Sequence, residues 1–313
     1  MSPYLIIDCH IHTYPSVEMS NRDAKILGFV DKGLAGQFTG AIDDTLAAMK
    51  RDGVSKAIMA NWLPISRMKD VALTKLPFGL TDYEAPAREI DQTLVARLQR
   101  RNQWTCEAAQ GHPELIPFIS VDPVMNADQI RREIQDRVNN HGARGIKLQY
   151  AGQRVFPHDR RLWPAYETAQ ELDVAILGHS GESEGDSAQY AEPKYFAEVL
   201  HHFPRLRLVL AHIGADFYDQ AKALARAYPQ INFDCSDILC AAIFPLTDAE
   251  LVSLFREVGA DRVVLGTDFP FYDRKPLLER LLGLDLTEQE KRQILGENAL
   301  RIYRLGSNGP ATT

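Results

Sequence analysis

Hydrophobic runs alternate with amphipathic segments along most of the chain. Eight short apolar runs are typical of buried parallel strands, which are apolar on both faces because helices cover the sheet on either side. These predicted strands are Leu5–His12, Ser55–Asn61, Leu115–Asp122, Ala143–Gln149, Val174–Ser180, Arg207–Gly214, Ile231–Ser236 and Arg262–Phe269. The segments between and after them carry apolar residues at helical spacing. These predicted helices are Ile42–Arg51, Ala85–Gly111, Ala127–His141, Arg160–Leu172, Pro193–His202, Tyr218–Tyr228, Asp248–Val258, Lys275–Leu282 and Glu288–Tyr303.

Strict alternation of eight strands with helices predicts an α/β fold, and more narrowly a distorted (β/α)8 TIM barrel with its site at the C-terminal ends of the strands. A doubly wound open sheet is the alternative, but that fold usually has a glycine-rich turn after its first strand. We predict a single domain over residues 1–306 and a disordered tail over residues 307–313. Two long segments, 13–40 and 62–84, are expected to be loops that form the pocket or a lid.

Three of the predicted strands end in residues that can bind a metal ion. His10 and His12 are two positions apart on the first strand, so both imidazoles point the same way. His179 ends the fifth run and Asp268 the eighth. Three protein ligands with an open position for water are typical of a catalytic zinc, and a carboxylate beside them can also take a proton from the bound water. We therefore predict that His10, His12, His179 and Asp268 bind one divalent metal.

His212 ends the sixth run, on the strand next to the one that carries His179. Its imidazole could polarise a substrate oxygen or shuttle a proton, since histidine titrates near neutral pH. The alternative role for His212 is a hydrogen-bonding partner of a metal ligand. We predict His212 and Asp268 as the catalytic residues.

Five further residues at the same end of the barrel are predicted to contact substrate. Lys147, on the fourth strand, could hold a substrate carboxylate or form an ion pair in the barrel mouth. Asn61 and Trp62 end the second strand, where packing and turn roles are equally open. Arg154 could clamp a carboxylate, although a solvated surface arginine is the default. Glu182 could recognise a cationic or hydroxylated substrate.

Composition narrows the range of partners. The chain has 313 residues and a net charge of −7, which does not suggest binding to nucleic acid or to an anionic membrane surface. It has four cysteines without a CxxC pair, which indicates free thiols in a reducing cytoplasm. No apolar run approaches transmembrane length, and the N-terminus lacks a signal-peptide pattern. We expect a cytoplasmic protein with a small-molecule substrate, and a homodimer is left open.

Several of these strand-end motifs together resemble a known family. They are His10-Ile11-His12, Gly145-Ile146-Lys147-Leu148-Gln149, His179-Ser180-Gly181, Leu210-Ala211-His212-Ile213-Gly214 and Gly266-Thr267-Asp268-Phe269-Pro270. This set is similar to the amidohydrolase superfamily, and more narrowly to its amidohydrolase-related branch (amidohydrolase 2), which includes aminocarboxymuconate semialdehyde decarboxylase.

The resemblance implies a distorted TIM barrel with one divalent metal, usually zinc, with manganese or iron as alternatives. It implies ligands at His10, His12, His179 and Asp268 and a catalytic role for His212. One motif departs from the family, because many relatives have Lys-Leu-His-Pro where this chain has Lys147-Leu148-Gln149-Tyr150. In other branches a carboxylated lysine bridges two metals, but a second metal here would have few ligands.

Three functions remain compatible with these residues. We expect a metal-dependent hydrolase of an amide, ester or lactone, because the residues that follow His179, His212 and Asp268 in the sequence are apolar or acidic, and Lys147 is the one cation beside them. The alternative is a non-oxidative decarboxylase of an aromatic or unsaturated acid, which cationic side chains near the metal would favour. Arg67 and Arg154 could supply these if their loops fold over the site. The third is a metal-stabilised barrel without catalytic activity, which an open metal position disfavours.

Overall fold

The fold is described from a computed structural model that covers residues 3–26, 38–80, 82–181 and 185–306. Eight strands form one sheet in chain order, and every neighbouring pair is parallel. The strands are β1 (Ile7–Ile11), β2 (Lys56–Ala60), β3 (Leu115–Ser120), β4 (Gly145–Leu148), β5 (Ala175–Gly178), β6 (Leu208–Leu210), β7 (Asn232–Asp234) and β8 (Val263–Val264). Each lies inside one of the eight predicted runs.

Backbone hydrogen bonds join the last strand to the first. Cys9 N donates to Leu265 O at 2.8 Å, Asp268 N to His10 O at 2.9 Å, and His12 N to Phe269 O at 2.7 Å. These bonds continue past β8, which has only two residues with regular strand geometry. The sheet is therefore a nearly closed barrel, and the prediction of a TIM barrel is confirmed.

Helices alternate with the strands. They are α1 (Val17–Ile26), α2 (Ile42–Asp52), α3 (Ile65–Leu73), α4 (Glu84–Gln110), α5 (Ala127–His141), α6 (Tyr150–Gln153), α7 (Trp163–Glu171), α8 (Phe196–His202), α9 (Tyr218–Ala227), α10 (Asp248–Val258), α11 (Arg274–Gly283), α12 (Glu288–Arg292) and α13 (Asn298–Ile302). A π-helical segment, Gln293–Glu297, joins α12 to α13. Among the residues described here, no helix is long and apolar enough to cross a membrane.

The expectation that segments 13–40 and 62–84 are only loops is wrong, because α1 and α3 lie within them. α1 is mostly polar, and α3 buries only Ile65 among its nine residues. α1 therefore lacks an apolar stripe, and α3 is short, although Ile65, Met68 and Ala72 are at helical spacing along it. Residues 27–37 and the predicted tail 307–313 lie outside the described residues.

Apolar side chains form two cores, one on each side of the sheet. The larger lies between the strands and the surrounding helices. The smaller fills the barrel interior with alternating strand residues such as Ile7, Ile58 and Leu177, and α13 adds Ile302 to it. Phe118 occupies space that Gly145 leaves open, since a Cβ at Gly145 would lie 2.3 Å from the phenyl ring. The barrel is therefore solid below its mouth.

A fully buried ion pair fixes β1 against the segment that follows β8. Asp8 Oδ2 accepts hydrogen bonds from Arg274 Nε at 2.8 Å and from Thr267 Oγ1 at 2.5 Å, and Asp8 Oδ1 accepts one from Thr267 N at 3.1 Å. Asp8 and Arg274 are both 0% exposed. Because Thr267 precedes Asp268 and Asp8 precedes His10 by two residues, this pair orients two strand ends of the site described below.

We predict that Asp8→Ala lowers the free energy of unfolding by up to about 3–5 kcal/mol. It removes the carboxylate that accepts from Arg274 Nε and leaves the buried guanidinium with Asp52, whose Oδ2 lies 3.6 Å from Nη1. Urea unfolding of the purified variant measures this. Arg88→Ala is the control, since it removes an exposed pair with Glu84 on one helix and should change stability little. A loss in Asp8→Ala no larger than in the control would contradict the role of the pair.

Candidate active site

Two imidazoles and one carboxylate meet at the C-terminal mouth of the barrel. Asp268 Oδ1 lies 2.9 Å from His12 Nε2 and 3.3 Å from His10 Nε2. All three residues are buried, and their ligand atoms lie close enough together to hold one metal ion. These three residues, His10, His12 and Asp268, are called the metal cluster below. Asp268 has a left-handed backbone conformation, with φ at +56°. Such strained conformations cluster at functional sites, and here the turn aims the carboxylate at the two histidines.

The surroundings of His12 and Asp268 suit metal binding. Burial lowers the pKa of His12, although the nearby Asp268 carboxylate opposes this. Burial by itself would raise the pKa of Asp268, but His12 and His10 outweigh it and hold that pKa well below the usual range. Neutral imidazoles and an ionised carboxylate are the forms that bind a divalent transition metal. His10, His12 and Asp268 therefore fit such an ion.

His179 and His212 lie next to one another beside this cluster. His179 Nδ1 is 3.2 Å from His212 Nε2, and both side chains are buried. Burial lowers the pKa of His212 to about 4, and burial together with His212 lowers the pKa of His179 well below its usual value. The structure thus brings together three of the four predicted ligands, His10, His12 and Asp268, in the metal cluster. The fourth predicted ligand, His179, lies outside this cluster.

Three polar residues at the end of β7 take part in the site, and the sequence reading did not single them out. Asp234 Oδ2 accepts a hydrogen bond from His10 Nδ1 at 2.8 Å, so the opposite nitrogen of His10, Nε2, is turned to the metal cluster. Ser236 and Asp237 both lie against His212. Their position in the sequence could have identified them, because Asp234-Cys235-Ser236-Asp237 lies at the end of a predicted strand, as the site histidines do.

A cavity of about 280 Å³ opens above the metal cluster. Aromatic side chains form much of its wall, namely Trp62, Phe244, Phe271 and Tyr272. Of the residues described, Lys147, Arg67 and Arg154 are the cationic ones that line it. The cavity therefore combines flat apolar surface with positive charge.

Lys147 lies deepest of these cations. Its side chain is buried, and Nζ is 3.0 Å from His10 Nε2. Burial lowers the pKa of Lys147 to about 8, although the carboxylates of Asp234 and Asp268 favour the charged form. Arg154 lies at the rim, where Nη1 donates to Asp70 Oδ2 at 2.7 Å. Arg67 is carried by α3, one of the helices that the sequence did not predict.

The predicted substrate residues differ in where they lie. Trp62, Lys147 and Arg154 line the cavity, but Asn61 does not. The Asn61 amide is engaged by the protein itself, since Oδ1 accepts from Thr13 N at 2.9 Å and Nδ2 donates to Thr105 Oγ1 at 3.0 Å. Asn61 therefore supports the segment after His12 instead of facing the cavity. Glu182 lies outside the described residues.

Several known proteins that are similar to this chain in sequence or fold are decarboxylases. A gamma-resorcylate decarboxylase from Polaromonas sp. (strain JS666) is 19% identical over 269 residues, which are 72% of this chain and 82% of that protein. A crystal structure of 2,6-dihydroxybenzoate decarboxylase complexed with 2,6-dihydroxybenzoate has a TM-score of 0.69 at 17% identity, with 96% of this chain and 100% of that chain covered. At this level of identity the structural likeness shows the fold.

A third similar protein was solved with a metal. It is a dihydroxybenzoic acid decarboxylase from Polaromonas sp. JS666 with bound manganese and the inhibitor 2-nitroresorcinol. Its TM-score is 0.70 at 17% identity, with 97% of this chain and 98% of that chain covered.

These relatives overturn the expectation of a hydrolase, since they are decarboxylases. The physical argument for hydrolysis also fails, because it assumed that Lys147 was the one cation near the metal, whereas Arg67 and Arg154 line the cavity as well. The sequence model that describes the amidohydrolase family matches residues 7–305. A match over nearly the whole chain shows that this protein belongs to the amidohydrolase family.

Proposed function

We propose that this protein is a metal-dependent decarboxylase that removes carbon dioxide, without oxidation, from a hydroxylated aromatic carboxylic acid. The observation that carries the proposal is the buried Lys147 beside the metal cluster, at the base of a cavity with aromatic walls. A buried substrate carboxylate is costly unless a cation pairs with it. The similar proteins named as gamma-resorcylate and 2,6-dihydroxybenzoate decarboxylases support the same substrate class, since both names refer to aromatic acids.

The aromatic walls suit the ring of such a substrate. Trp62 and Phe271 offer flat surfaces against which an aromatic ring can pack in offset or edge-to-face geometry. Gly152 makes room for Trp62, since a Cβ there would lie 2.5 Å from the indole. Water is excluded where the ring packs, so the attraction between a substrate carboxylate and Lys147 is strengthened.

One divalent ion completes the site in this proposal. His10, His12 and Asp268 would hold it, with His179 as a fourth ligand, and when bound it supplies a Lewis acid for oxygen atoms of the substrate. We take manganese ahead of zinc because a decarboxylase of similar fold was solved with manganese. The donor set of imidazole and carboxylate accepts several divalent metals.

The reaction requires one proton at the ring carbon that carries the carboxylate. That carbon takes up the proton, the bond to the carboxylate carbon breaks with its electron pair returning to the ring, and carbon dioxide leaves. Lys147 holds the anionic group before it leaves. We assign the proton transfer to His212, which lines the cavity beside His179. Its Nε2 takes the proton from the hydroxyl group of the substrate or from water and passes it to the ring carbon.

Loss of a ligand should lower metal content. We expect His12→Ala and Asp268→Ala to retain much less divalent metal than the unmodified protein after gentle purification, because each removes a member of the cluster. Elemental analysis measures the stoichiometry. His201→Ala is the matched control, since His201 is an exposed residue at the end of α8. Full metal content in both cluster variants would refute the proposed site.

Replacement of His212 should abolish turnover but not metal binding. His212 has φ at +60°, a conformation that asparagine tolerates well, so His212→Asn adds little backbone strain. We expect the variant to keep its metal and to lose about 10²- to 10⁴-fold in kcat, the range typical of a lost acid–base group. His202→Asn, on α8, is the control. A rate equal to that of the unmodified enzyme would remove His212 from the mechanism.

The reaction itself is tested with a panel of hydroxylated benzoic acids in deuterium oxide. We expect carbon dioxide release from at least one of them, with one deuterium atom on the ring carbon that lost the carboxylate. Gas analysis and proton NMR of the product measure both. Absence of carbon dioxide from every member of the panel, with metal present, would contradict the proposal.

A further inference from the structure

We propose that Ser236, in the turn after β7, is a positioning residue that fixes the ring proton of His212 on Nδ1. This leaves Nε2, the nitrogen 3.2 Å from His179 Nδ1, without a proton and able to accept the one that is transferred. The same hydroxyl group also joins His212 to Asp234 and to the metal ligand His10. This inference deepens the proposed function and rests on it for its effect on rate. The hydrogen-bonding arrangement itself does not depend on the identity of the substrate.

Three oxygen atoms surround His212 Nδ1. Ser236 Oγ lies at 2.9 Å, Asp237 Oδ2 at 3.2 Å and the Ser236 carbonyl oxygen at 3.3 Å. A carbonyl oxygen can only accept a hydrogen bond. The surroundings therefore favour the tautomer in which Nδ1 carries the proton.

The Ser236 hydroxyl group has one hydrogen atom, which it donates in a hydrogen bond to Asp234. Ser236 Oγ forms a short hydrogen bond to Asp234 Oδ1, which also accepts from Ser236 N at 2.6 Å. The two oxygen atoms of Asp234 face hydrogen-bond donors, since Oδ1 accepts from the Ser236 backbone and Oδ2 lies 2.8 Å from His10 Nδ1. With its hydrogen directed to Asp234, Oγ can only accept from His212 Nδ1.

The same carboxylate determines the tautomer of His10. Asp234 Oδ2 accepts from His10 Nδ1 at 2.8 Å, and Ser236 Oγ is 3.0 Å from the same nitrogen. One buried Asp–Ser pair therefore directs the protons of two imidazoles away from the cavity. Both Asp234 and Ser236 are 0% exposed, so bulk water does not compete for these bonds.

The backbone at His212 explains why such support is needed. His212 and Ile213 both have positive φ values, at +60° and +46°, in a turn that interrupts the end of β6. A β-branched isoleucine in this region is strained, and strain persists only where surrounding contacts hold it. Ser236 supplies one of those contacts from the neighbouring strand end.

The test is nitrogen NMR of protein labelled with ¹⁵N-histidine, in the zinc-loaded form because zinc is diamagnetic. The His212 signals are assigned by their loss in His212→Asn. We expect the unmodified protein to carry the His212 proton on Nδ1. In Ser236→Ala we expect a lower population of this tautomer, because the nearest acceptor is lost. A proton on Nε2 in the unmodified protein would overturn the proposal without reference to any variant.

Kinetics give the second measurement. Partners that orient site histidines typically contribute 10- to 100-fold, so we expect kcat of Ser236→Ala to fall by about that factor with KM and metal content little changed. Ser253→Ala, which removes an exposed serine hydroxyl from α10, is the matched control. An unchanged kcat and an unchanged His212 spectrum in Ser236→Ala would refute the role.

The two hypotheses can fail separately. If the unmodified enzyme releases no carbon dioxide from any substrate, the proposed reaction is wrong, whereas the NMR result still decides the role of Ser236.

Discussion

The closure of the barrel between β8 and β1 is the constraint on which this site depends. Asp268 meets His10 and His12 only because backbone hydrogen bonds carry the segment after β8 alongside β1. The buried Asp8–Arg274 pair holds the two segments together from the outer side of the barrel. A metal ion placed here would bind residues 256 positions apart in sequence, so folding and site assembly are the same event.

Much of the fold and part of the site could be predicted from the sequence. His10, His12 and Asp268 each follow an apolar run, and the ends of parallel strands share one face of a barrel. Asp234 and Ser236 had the same position but gave no distinctive signal, because aspartate and serine are common in turns. Their role becomes visible only when β7 is placed between the strands that carry His212 and Asp268.

The wrong expectation of a hydrolase has a physical origin. Residues adjacent in sequence to His179, His212 and Asp268 are apolar or acidic, and this suggested a pocket for a neutral substrate. The charge of a cavity depends on every segment that folds over it. Arg67 and Arg154 line this cavity, but they come from segments whose position the local sequence pattern did not predict. Asn61 is the opposite case, since it ends a strand near the site but bonds to Thr13 and Thr105.

The central claim is that this cavity binds an aromatic carboxylate against a metal and Lys147. A crystal structure with manganese and an unreactive nitro analogue of a hydroxybenzoate tests it most directly. We predict an anomalous peak about 2.0–2.3 Å from His10, His12 and Asp268, with the ring between Trp62 and Phe271 and an anionic group on Lys147. Metal bound elsewhere, or an analogue outside the cavity, would contradict the account.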